Sequence, residues 1–176
     1  MMETSVKRYL WGLSVRDGVV LAVIAAATAS AKMLLNIPLH VPGHFNIVWM
    51  FFLLLGCALV PRHGAGTTLG VLTGMLAILF GLGQEGILIF FKWLIVGLTL
   101  EVFLAGAPAF AQRWHAAVAA GGAAAVAKTV LNLALFFVFG FSGKAVETVG
   151  AVAVTLNFLF GAVGGFLGWA LWKRIS

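Results

Sequence analysis

Three lysines, Lys32, Lys92 and Lys128, interrupt apolar runs of a 176-residue chain that is 62% hydrophobic and only 9% charged. A cation at mid-helix in a bilayer costs about 2.5–3.5 kcal/mol on insertion scales, so an intramembrane lysine carries a functional expectation. Lys128 lies near the middle of its run, too deep to reach headgroups easily, with Asn132 one turn further along on the same helical face. Lys92 stands seven residues after Glu85, so it either lines a pocket or pairs with that carboxylate. Lys32, near the end of the first run, reads more readily as a snorkelling side chain whose stem stays in apolar surroundings. Trp93 adds a ring face for stacking, and Asn157, midway along the last run, either lines the same cavity or bonds across helices. The chemistry these groups offer together is capture of an anionic group, a carboxylate or a phosphate.

A second set lies between the first two runs, where residues 39–46 bring His40, His44 and Asn46 just ahead of Trp49. Histidines four apart suit a metal on a helix, but Pro42 and Gly43 stand between these two and remove the helical geometry. Cys57 is far down the second run. The pattern favours a loop without metal, and capture of nickel, cobalt or zinc through His40 and His44 stays as the alternative. No nucleophile elbow, phosphate-cradling loop or carboxylate pair occurs, so the chain reads as a binding protein and not an enzyme, and nothing in it calls for a cofactor.

The elements that must position these residues are apolar runs, divided by short Pro, Gly, His or charged punctuation, at 18–35, 47–60, 65–82, 86–105, 116–139 and 149–172. Each approaches the ~20 residues that cross a ~30 Å hydrocarbon core, the second being short. Run length and the lack of apolar/polar alternation predict helices. The expected fold is therefore an all-α membrane protein, one integral membrane domain of six transmembrane helices. The first run ends in Ala29-Ser30-Ala31, a passable signal-peptidase site, but the topology works best if the segment stays as the first span.

Orientation follows the cations. With the N-terminus inside, the cytoplasmic segments hold Lys7, Arg8, Arg16, Arg62, Arg113, Lys173 and Arg174, against Lys144 alone outside. Tryptophans agree, with Trp11, Trp114, Trp169 and Trp172 near the inner interface and Trp49 and Trp93 near the outer one. Both termini are thus expected in the cytoplasm, and the lysines in the outer half. Net charge is +6, but the cations are scattered at span ends, which argues against nucleic acid as a partner. Glu101, low in the fourth run, is expected to pair with an interfacial cation or a partner subunit.

Small residues recur at spacings that let helices approach closely: Ala22/Ala26 and Ala25/Ala29 in the first run, Gly66, Gly70 and Gly74 in the third, and Gly161/Gly165 and Gly164/Gly168 in the sixth. Six short spans, an Ala-x-x-x-Ala first helix, a Pro- and Gly-bearing first outer loop, and the stretches from Pro42 to Pro61 and Gly64 to Gly74 resemble the substrate-capture (S) component of energy-coupling factor (ECF) transporters. That resemblance implies a vitamin or other micronutrient as the small-molecule substrate, and residues 39–46 as a lid. It implies docking of a transmembrane coupling subunit on Ala22, Ala25, Ala26 and Ala29, a pair of cytosolic ATPases as the energy source, and a prokaryotic plasma membrane. A membrane protein of purely structural role is the rival without a ligand.

Overall fold

The computed structural model describes residues 12–34, 44–82, 86–138 and 143–176, the side chains of Phe136 and of 143–149 excepted. His40 and Glu85, and most of the loop 39–46, lie outside the described residues. Among the described residues six α-helices follow one another: α1 Val15–Leu34, α2 Asn46–Leu59, α3 Ala65–Leu79, α4 Leu88–Gly106, α5 Trp114–Val138 and α6 Gly143–Ile175, with a 3-10 turn at Phe110–Gln112 before α5. No strand occurs among the described residues. Among the described residues four segments are long and apolar enough to cross a membrane: Val15–Leu34, Leu88–Gly106, Trp114–Leu135 and Gly150–Ile175. The helices α2 and α3 are apolar but have 14 and 15 residues. At 1.5 Å per residue each is only about 21–23 Å long, short of a full hydrocarbon crossing.

Helix ends follow local chemistry. Ser14 and Asp17 form a reciprocal capping box at the start of α1, the Ser14 N–H donating to Asp17 Oδ2 (2.9 Å) and the Asp17 N–H to Ser14 Oγ (3.2 Å). At the end of α4, Pro108 pushes the preceding residue out of the helical region, and Ala107 is extended at φ −157°, ψ 98°. Gly64 begins α3 at φ 89°, a left-handed conformation that costs glycine little.

Packing is governed by the glycines. A Cβ on Gly66 would lie 2.7 Å from the Glu101 amide nitrogen, and one on Gly97 2.6 Å from the Gly66 carbonyl oxygen, so α3 and α4 touch backbone to backbone. Helix α6 carries two glycine stripes facing different neighbours. Gly161 and Gly165 meet α5 at Gly121 and Ala117, while Gly164 and Gly168 meet α2 at Ile47 and Phe51. Where burial drives no association, such close van der Waals contact between backbones is what holds helices together. Helix α1 packs on α2 and α3, and α4 also packs on α5.

Successive helices alternate in direction, giving the bundle two ends. One gathers the close of α1, α3 and α5 with the start of α2 and α4, and is called the lysine end below. The other holds Arg62, Arg113 and Arg174 and is called the arginine end.

Candidate functional site

At the lysine end the polar residues of four helices converge. The first turn of α2 places Asn46 and Trp49 three residues apart, hence on one face, both buried. Helix α4 contributes Lys92, only 4% exposed, and Trp93, 2% exposed. Helix α5 supplies Lys128 and Asn132, half-buried and one turn apart, and α6 supplies buried Asn157.

These groups form two hydrogen-bonded sets. The Lys128 ammonium donates to Asn46 Oδ1 at 3.2 Å, and Asn46 Nδ2 donates to Asn157 Oδ1. The Asn157 amide nitrogen donates in turn to the Ala153 carbonyl one turn back, at 2.7 Å, which fixes its orientation. Lys92 Nζ donates to Asn132 Oδ1 at 2.5 Å. The Lys128 ammonium also lies 3.5 Å from the Trp49 ring centroid and 5.2 Å from that of Trp93. The two indoles meet edge to face, 4.9 Å apart. An indole face is the best aromatic partner for a cation, and desolvated pairs reach about 2 kcal/mol. Amide oxygens and ring faces thus offset much of the cost of burying ammonium groups, and they do so with neutral partners that leave positive charge in place.

Lys32 behaves differently. It lies 5.2 Å from the Trp49 ring, but its ammonium donates to the carbonyl oxygen of Leu82, just past α3. It thereby ties α1 to the end of a neighbouring helix, in place of the reach toward headgroups that the sequence favoured. The ion pair considered for Lys92 involves Glu85, which is not among the described residues. The His44 ring packs tilted against Phe45 with centroids 4.2 Å apart, and Phe45 stacks at 6.2 Å on Trp49, so the last residues of the loop lead directly into the indole pair. The metal alternative needs His40, outside the described residues. Among those described, no three His, Cys, Asp or Glu side chains are grouped so as to hold an ion.

Two sequence expectations change. On α1, Ala25 and Ala29 are buried (0% and 1% exposed) against the rest of the bundle, so neither is open to an outside partner. The outward stripe is Ala22 and Ala26 with Val15, Val19, Val23 and Met33. Glu101 accepts backbone N–H bonds from Gly64 (2.7 Å) and Thr67 (3.3 Å), with His63 Nδ1 at 3.9 Å. Its carboxylate caps the N-terminus of α3, where a negative charge complements the exposed amides, a use that the sequence did not suggest. Sequence reasoning also passed over Thr73, whose hydroxyl is fully buried in α3 with no hydrogen-bond partner among the described residues. A threonine in an apolar helix ordinarily bonds back to its own helix, as Thr28 and Thr129 do here, and gives no separate signal in sequence.

No family model matches the sequence, and no curated protein matches it. Among solved structures, the chain is similar to one described as the crystal structure of an S-component of ECF transporter, with a TM-score of 0.63 at 15% identity. The match covers 93% of this chain and 84% of that one. The helices that assemble the lysine, tryptophan and asparagine network are therefore arranged in the S-component fold.

Proposed function

We propose that this chain is the substrate-capture subunit of an ECF-type importer and binds a small anionic vitamin or micronutrient at the lysine end. The observation that carries the reading is the Lys128 ammonium, held by Asn46 and set over the Trp49 and Trp93 rings deep in the bundle. A carboxylate or phosphate entering there exchanges an amide partner for a full charge–charge interaction and finds two indole faces against its apolar part. Charge-assisted hydrogen bonds are roughly twice as strong as neutral ones, which gives the exchange its direction.

In this reading the lysine end faces outward, both termini lie in the cytoplasm, the whole chain is one membrane domain, and residues 39–46 close over the ligand. A transmembrane coupling subunit docks on the exposed stripe of α1, and a pair of cytosolic ATPases drives import. Mass spectrometry of the small molecule that co-purifies with the protein identifies the ligand. Lys128→Ala is then expected to weaken its binding at least tenfold, about 1.4 kcal/mol. Unchanged affinity overturns the assignment of the pocket. Ala26→Trp is expected to abolish uptake while leaving ligand binding intact, since it adds bulk to the outward face; normal uptake removes the docking claim.

A further inference from the structure

At the arginine end, the start of α5 and the close of α6 lie side by side and leave an open groove of about 460 Å3. That volume falls within the ~300–1,000 Å3 typical of small-molecule sites. Its walls include Arg113, Trp114, His115, Trp169, Trp172 and Lys173. The Trp169 indole N–H donates to the Gln112 carbonyl at 3.1 Å, which anchors α6 to the 3-10 turn and fixes one wall. The Lys173 ammonium lies 5.3 Å from the Trp169 ring centroid. No Asp or Glu side chain lines the groove among the described residues, Ser176 completes its wall, and Arg113, His115 and Lys173 are exposed.

The surroundings grade from charged to apolar. Along α6, toward the middle of the bundle, Phe166, Leu167 and Leu171 are exposed large hydrophobic side chains, and the Phe166 ring contacts Trp169 with centroids 5.5 Å apart. Cations at a helix end, indoles beside them and bare hydrocarbon beyond match an anionic phospholipid, whose phosphodiester needs the cations and whose acyl chains need the hydrocarbon. We propose that this groove is a binding site for the headgroup of an anionic phospholipid, with Arg113 and Lys173 on the phosphate and the indoles flanking the glycerol. The proposal uses no residue of the lysine end and stands apart from the transport reading.

The test places the full chain in nanodiscs of equimolar phosphatidylcholine and phosphatidylglycerol and reads the lipid retained after extraction by native mass spectrometry. Wild-type protein is expected to retain phosphatidylglycerol roughly thirtyfold over phosphatidylcholine, the effect of two interfacial cations at about 1 kcal/mol each. The double variant Arg113→Gln/Lys173→Gln should retain the two lipids about equally. Arg174→Gln, which changes the neighbouring cation outside the groove wall, should keep the preference within about twofold. Equal retention by wild type overturns the proposal, as does a loss with Arg174→Gln equal to that of the double variant, which indicates diffuse surface charge. Displacement of the lipid by an equal concentration of inorganic phosphate also overturns it, since the groove then binds phosphate and not a lipid.

Discussion

The two ends of the bundle spend their polar residues in opposite ways. At the arginine end, polar side chains mostly serve the backbone: Glu101 takes the amides that open α3, Ser14 and Asp17 take each other's amides, and Gln112 donates to the Ala58 carbonyl at 3.3 Å. Arg62 bridges Asp17 at 3.2 Å and reaches the Gly12 carbonyl. These are groups that helix termini require, because the first and last turns leave amides and carbonyls unpaired. At the lysine end, Lys92, Lys128, Asn132 and Asn157 sit within helices whose backbone is already paired; Lys92 bonds to Asn132, and Lys128 and Asn157 both bond to Asn46 at the start of α2. Termini explain the first set and do not explain the second. A polar network without a capping task, at membrane depth, is the place to look for a ligand.

The contrast can be broken at several points. Asn46→Ala should have the largest effect, since Asn46 joins Lys128 to Asn157. Ligand affinity is expected to fall about tenfold and stability by about 1–3 kcal/mol, the penalty of leaving buried partners unsatisfied. Intact affinity, measured on the co-purifying ligand, would separate the network from the site. Glu101→Ala should cost about 1–2 kcal/mol of stability by removing a helix cap, while ligand affinity stays unchanged. Thermal unfolding and binding measured side by side check this, and an affinity loss exceeding the loss with Asn46→Ala reverses the assignment of the two ends. Lys32→Gln should be the mildest, a few tenths of a kcal/mol in stability and less than a twofold change in binding, because its ammonium serves the Leu82 carbonyl as a cap does. A binding loss as large as that of Asn46→Ala would move Lys32 from architecture into the site.

Most helices were legible from the sequence because an uninterrupted apolar run of suitable length admits few other structures in lipid. The ends of the first five fall within about three residues of expectation, while α6 begins at Gly143, six residues earlier than 149. The polar residues that gather at the lysine end were legible too, since Lys128 and Asn132 stand out against the residues around them. Two things were not. The inward face of α1 could not be read from its alanines, because lipid and protein interior are equally apolar and a small-residue stripe fits both. The partners of Glu101 lie 37 and 34 positions away, and no local pattern announces a carboxylate that caps a different helix.

The glycine contacts have a mechanical consequence. Backbones that touch cannot slide past one another without collision, so α2, α5 and α6 form one stiff block and α3 with α4 another. Asn46, Trp49, Lys128, Asn132 and Asn157 ride on the first block, Lys92 and Trp93 on the second. The seam between them is bridged by the Lys92–Asn132 hydrogen bond and the edge-to-face indoles, both of which can open without breaking a helix. A ligand lying across that seam would touch two faces that are each rigid and are joined to one another through side chains.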